Sequence, residues 1–265
     1  MEERVLMRIE DNIAIVTLNR PDKYNALDMP MFEALVATAK KIGKNRDLRA
    51  VIIQGEGKVF SSGLDVMRII KNPLAIGKLL IKPGTKISNI AQDVGYAWRQ
   101  LSVPVLAVVH GRCYGGGFQI ALGADFRFST PDCEFSIMEA KWGLIPDMSG
   151  SITLRELIPM DLAKELTMTG RVFDGVKAKE YGLVSYVTET PFEDAMKLAR
   201  EIATRSPDSV ANAKKLFQNT WTADDKTALD WETKLQKQLL GRWNQMAAVS
   251  KNVSEKPLNF MKRKR

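Results

Sequence analysis

Pro104-Val105-Leu106-Ala107-Val108-Val109-His110-Gly111-Arg112-Cys113-Tyr114-Gly115-Gly116-Gly117-Phe118-Gln119-Ile120-Ala121-Leu122 contains a strand, a turn and the opening of a helix. The unbroken apolar, β-branched run up to Val109 is that of a strand buried on both faces. Gly111 ends it. Three consecutive glycines then lead into the helical run from Phe118. Without a Cβ at those positions, another group can approach the main chain closely. The first turn of a helix has unpaired N–H groups, and the macrodipole favours negative charge beside them. Taken alone, the glycine run fits a flexible turn, a phosphate cradle or an anion hole. Neither G-x-G-x-x-G nor G-x-x-x-x-G-K is present to choose among these.

Outward from this unit, strands and helices alternate. Val5–Glu10 and Ile13–Leu18 flank Asp11-Asn12, the pattern of a tight hairpin. Helical spacing over 31–44 (Phe32, Leu35, Val36, Ala39, Ile42) ends at Gly43. A buried strand is expected over 50–54, and a strand running into a turn over 59–65. Pro73, Gly77, Pro83 and Gly84 mark 70–98 as an irregular or mobile helical insertion. Further strands are expected over 126–129, 134–138 and 183–187. Helices are expected over 152–158, 162–169, 175–181 and 193–204, with only helical spacing after Pro207. The reading is an α/β core over 1–205 and a helical region over 206–265.

At 265 residues, 45% hydrophobic and 26% charged, the chain has the composition of one globular unit. No apolar run approaches the ~20 residues of a membrane span, so no membrane partner is expected. The start Met1-Glu2-Glu3-Arg4 shows no leader pattern, and a cytoplasmic location is expected. Two cysteines (Cys113, Cys133) and one histidine (His110) provide neither a disulfide framework nor a metal site. His110 reads as a packed or loop-bonding residue, and Cys113 as buried and inert. The net charge of +8 suits an anionic partner, although Lys262-Arg263-Lys264-Arg265 alone reads as a solvated tail.

Several segments in register resemble the crotonase (enoyl-CoA hydratase/isomerase) superfamily. They are Asn19-Arg20-Pro21 with Asn25-Ala26-Leu27, Phe60-Ser61-Ser62-Gly63-Leu64-Asp65, Val109-His110-Gly111 and the glycine run. Glu139 with Gly143-Leu144-Ile145-Pro146, Leu166-Thr167-Met168-Thr169-Gly170-Arg171, and Ala178 with Tyr181-Gly182-Leu183-Val184 complete the set. The resemblance implies a spiral of ββα units forming two sheets, with C-terminal helices that assemble a homotrimer or hexamer. It implies an acyl-coenzyme A substrate, no cofactor beyond its CoA moiety, and an oxyanion hole made by the N–H groups of Leu64 and Gly116. Lys23, Ala26, Ser62, Leu64, Asp65, Val66, Gly115, Gln119 and Phe260 would contact substrate or CoA.

The acids set the expected reaction. The family's hydratases use two glutamates, one just after the glycine run and one four residues before the glycine of the Gly-x-Ile-Pro turn. Here the second is Glu139 and the first is Gln119, which cannot exchange a proton at physiological pH. Asp147, where dienoyl-CoA isomerases place an aspartate, offers a second acid, although those enzymes usually carry another aspartate where Gln119 stands. Double-bond isomerisation is therefore expected. Hydration with Gln119 or Asp147 positioning water is one alternative. A non-catalytic RNA- or acyl-CoA-binding homologue is another, with nucleic acid not expected while both acids remain. Trp142 and Met148 bracket the acids as core or acyl-pocket residues, and Asp147 also fits as the cap of the following helix.

Overall fold

The computed structural model describes residues 3–264; Met1, Glu2 and Arg265 lie outside the described residues. The chain opens with β1 (Val5–Glu10) and β2 (Ile13–Leu18), antiparallel with Glu10 opposite Ile13. Asp11 and Asn12 both have positive φ (50° and 62°), the backbone that a two-residue hairpin of right-handed twist requires. Helix α1 (Met29–Lys44) follows, capped by Asp28, whose carboxylate accepts from Met31 N at 3.1 Å.

β3 (Ala50–Gly55), β4 (Val105–Val109), β6 (Phe126–Ser129) and β8 (Tyr186–Val187) extend the sheet in the order β1-β2-β3-β4-β6-β8. All pairs after the first are parallel. β5 (Arg112–Tyr114) and β7 (Glu134–Ser136) form a second, small parallel sheet, widened by single bridges at Ser61–Cys113 and Phe135–Phe173. Alternation along the strands serves two cores. Ile13, Ile15, Ala50, Ile52, Leu106 and Val108 meet Ala195, Met196 and Ala199 of α9 (Pro191–Ala203). Ala14, Val16, Val51, Ile53, Val105 and Ala107 join the larger core on the other face, with α1, α4 (Ile90–Arg99) and α5 (Gly116–Leu122). The strands are therefore buried on both faces, and the loops after their C-terminal ends collect at one end of the molecule, where open α/β sheets bind ligands.

Two segments ahead of β4 differ from expectation. Residues 59–65 form no strand, because their main-chain bonds go to three different partners: Ser61 N donates to Arg112 O, Ser62 N to Tyr24 O and Asp65 N to Leu27 O. The 70–98 stretch is regular for most of its length, as α2 (Val66–Ile70), α3 (Pro73–Leu80) and α4. Pro73 starts α3 at a position where its missing N–H costs nothing, and Asn89 with Gln92 forms a capping box for α4.

Beyond β7 come α6 (Gly150–Leu157), α7 (Met160–Thr169) and α8 (Gly175–Glu180), and after α9 come α10 (Pro207–Thr220), α11 (Asp225–Leu239) and α12 (Trp243–Val253). The basic tail is not solvated throughout. Arg263 is 3% exposed and donates to Leu48 O (3.1 Å) and Asn45 O (3.4 Å), while Lys262 pairs with Asp47 at 2.9 Å and Lys264 N donates to Asp208. Asn45 is the C-cap of α1, where carbonyls lack partners within the helix and a cation is favoured.

Candidate active site

The glycine run is packed against 61–64 too closely for side chains. A Cβ on Gly117 would lie 2.5 Å from Ser61 Cβ, and one on Gly63 would lie 2.8 Å from Tyr114 O and 3.5 Å from Gly116 N. Both segments are pinned by Ser61 N donating to Arg112 O and Tyr114 N to Ser61 O, each at 3.0 Å. Gly115 turns with φ 49°, and its N–H donates to Ser136 O, the end of β7. As a result the segment ending in Leu64 lies directly against the one that begins with Gly115 and Gly116. Neither the Leu64 N–H nor the Gly116 N–H has an acceptor among the described residues.

Leu64 is held from below. Leu27 N donates to Gly63 O and Asp65 N returns to Leu27 O, at 2.8 and 3.0 Å. The Asp65 carboxylate caps α2 and accepts from Arg20 Nη1 at 2.9 Å, and the same nitrogen donates to Ala26 O. Behind this lies Asp28, fully buried, with Arg4, Arg68 and Arg20 at 3.1, 3.3 and 3.8 Å. Asp65 thus acts on the loops it joins rather than standing free in a groove.

Glu139 lies in a short 3-10 helix (Met138–Trp142), and its carboxyl hangs over Gly115, where a Cβ would be 3.4 Å from Oε1. Gln119 Nε2 donates to that Oε1 at 2.6 Å. The amide cannot flip, because Gln119 Oε1 accepts from Met148 N (2.8 Å) and Gly150 N (3.0 Å). Gln119 therefore caps α6, whose own cap residue, Ser149, has φ 71° and makes no side-chain cap bond. Asp147 does not cap that helix either.

Glu139 Oε2 is buried without a hydrogen-bond partner among the described residues. Burial pushes the Glu139 carboxyl above the ordinary carboxylate range and Asp147 pushes it further, while the Gln119 amide pulls it partly back. Burial also raises Asp147, although one side of that residue is open to solvent. Two carboxyls on one loop thus favour their protonated forms more than free carboxyls do.

Lys23 and Ala26 lie on the loop after β2 and Ser62 on the loop after β3, beside Leu64 and Asp65, so these five share one rim. Val66 does not join them, being 7% exposed and packed inward at the start of α2. Phe260 is not brought to the site within the chain. Its ring contacts Arg49, just before β3, and Lys251, at the opposite end of the strands. His110 contacts Gly57 O at 2.9 Å, as a loop-bonding residue would. Burial raises the Cys113 thiol well above its usual value, which leaves it inert.

Met148 packs into the core over Gly116, where a Cβ would meet its sulfur at 2.6 Å, whereas Trp142 is exposed. Sequence reading missed Arg20, Asp28 and Arg68. Arg20 stood in the quoted Asn19-Arg20-Pro21 segment without a role, and Asp28 carried a signal as an aspartate two residues ahead of Pro30 at a helix start. Among the described residues no group of three or more His, Cys, Asp or Glu could hold a metal ion.

A family model described as enoyl-CoA hydratase/isomerase matches residues 8–255. A mitochondrial Δ(3,5)-Δ(2,4)-dienoyl-CoA isomerase of Rattus norvegicus is 32% identical over 219 residues, 77% of this chain and 65% of that protein's length. Enoyl-CoA hydratase EchA19 of Mycobacterium tuberculosis is 29% identical over 228 residues, 83% of this chain and 82% of that one. The crystal structure of an enoyl-CoA hydratase from Bacillus anthracis superposes with a TM-score of 0.87 at 26% identity, covering 97% of this chain and 98% of the other. The α/β core and the C-terminal helices are those of the crotonase fold, and the chain belongs to the enoyl-CoA hydratase/isomerase family.

Proposed function

We propose that the chain isomerises the double bond of an enoyl-CoA or dienoyl-CoA. The observation that carries this reading is the Gln119–Glu139 contact. The carboxamide facing Glu139 is locked by two main-chain donors, so one proton-exchanging group remains at that point, with Asp147 as the second acid nearby. In this reading Glu139 takes the proton α to the thioester carbonyl. The Leu64 and Gly116 N–H groups hold the dienolate oxygen, each worth about 3 kcal/mol in the transition state. Asp147 or Glu139 returns a proton at the far end of the conjugated system, so the proton count is unchanged and the double bond has moved. Lys23, Ala26, Ser62 and Asp65 form the rim along which the CoA moiety lies. Phe260 reaches that rim only from another copy, which fits a homotrimer or hexamer.

The test is a panel of 3-enoyl-, 3,5-dienoyl- and crotonyl-CoA with products identified by mass and absorbance. Isomerisation leaves the mass unchanged and creates conjugation. Hydration of crotonyl-CoA adds a water and destroys it, and as the main activity it would overturn the proposal. Hydration is the second reading, favoured by the remaining hydrogen of Gln119 Nε2, which can hold a water.

Gln119→Glu probes the same contact. The new carboxylate keeps the two main-chain donors on one oxygen and turns the other toward Glu139, so that the pair shares a proton. The acid limb of kcat/KM is expected to move to higher pH, with hydration of crotonyl-CoA appearing or rising. An unchanged pH profile would show that residue 119 does not face the base.

A further inference from the structure

Between Val66 and Gln92 the chain has five cations (Arg68, Lys71, Lys78, Lys82 and Lys86) and no acid. Large aliphatic residues of the same stretch face solvent: Met67, Ile70, Leu74, Leu80, Ile81 and Ile87 are 57–86% exposed. Val66, Ile69, Ala75 and Leu79 meanwhile anchor α2 and α3 to the protein. Large aliphatic residues exposed in such number along one short stretch mark an interaction surface. Arg68, Lys78 and Lys86 have carboxylates within reach (Asp28, Glu33 and Asp93), whereas Lys71 and Lys82 have none among the described residues.

We propose that the outer face of α2, α3 and the 81–89 connection docks on an anionic lipid surface. Such a surface offers what this face lacks, an apolar layer for aliphatic tips beneath a negatively charged layer for the lysines. No helix among the described residues is long and apolar enough to cross a membrane, so the contact is peripheral. α2 begins two residues after Leu64, so docking would set the site's rim at the membrane, where amphiphilic acyl thioesters partition.

The experiment is co-sedimentation of the full chain with phosphatidylcholine vesicles and with equimolar phosphatidylcholine and phosphatidylglycerol vesicles. Binding is expected to the anionic vesicles, weakening as salt is raised. Leu74→Glu with Ile81→Glu should lower the partition coefficient at least about tenfold. Lys71→Glu with Lys82→Glu should lower it about fivefold per lysine. Thermal melts confirm that each variant is folded.

Absence of binding to anionic vesicles, or variants that bind as the parent does, overturns the proposal. So does a change of oligomeric state in the Leu74/Ile81 variant without vesicle binding by the parent, which makes the face a contact between copies. A rise in KM confined to long-chain acyl-CoA, again without vesicle binding, makes it a cover for the substrate and is equally fatal.

Discussion

Glu139→Gln is expected to lower kcat for isomerisation by about 10²–10⁴-fold while making the protein more stable near neutral pH. The loss follows from removing the base that takes the α-proton. The gain follows from linkage. Burial and Asp147 raise the Glu139 carboxyl, so the folded protein binds that proton more tightly than the unfolded chain. Stability therefore falls as pH rises from the unfolded carboxylate range through the raised folded value. Above that value the ionised carboxyl is a standing cost, and below the unfolded range both states are protonated and the cost is gone.

The glutamine carries no such charge and can still accept from Gln119. Its advantage in thermal melts should be present near neutral pH and vanish in acid. The parent's kcat/KM should fall as pH drops through the raised value, since only the carboxylate is a base. A variant that isomerised 3-enoyl- or 3,5-dienoyl-CoA at the parent's rate would remove Glu139 from the chemistry.

The second large effect is on the fold. Asp28→Ala should cost about 3 kcal/mol in denaturant unfolding, because it removes the fully buried carboxylate around which three arginines gather and which caps α1. Asp28 has no exposed surface and caps α1. Of the arginines around it, Arg20 is itself 6% exposed and would keep only Asp65. Asp28→Asn, which keeps an accepting oxygen for Met31 N, should lose less. Arg20 also fixes Ala26 O and Asp65, so kcat in Asp28→Ala should fall at denaturant concentrations that leave the fold intact. A loss below about 1 kcal/mol would place the cluster with surface pairs of little consequence.

What could be read in the sequence depended on whether the determinants were local. The Asp11-Asn12 hairpin was legible because both residues accept positive φ, and the sheet strands because continuous β-branched runs have few other uses. The glycine run was legible as a close approach, and its partner 61–64 came from the family resemblance.

The 59–65 segment failed as a strand because residue type says nothing about where the hydrogen bonds go. Arg263 was read as solvated because the carbonyls of Asn45 and Leu48 are supplied by the far end of the chain. Phe260 was grouped with the site, and within one chain its ring lies instead against Arg49 and Lys251. Gln119 was read as a missing acid. Its capping of α6 was invisible without the helix it caps.

That capping bears on how activities diverge. In this chain residue 119 presents an oxygen to Met148 N and Gly150 N, and a side chain of the same length with a terminal oxygen keeps both contacts. Glutamate is such a side chain, and every glutamine codon is one base away from a glutamate codon. A lineage can therefore exchange the group facing Glu139, and with it the proton inventory of the site, by a single nucleotide step that leaves the architecture standing.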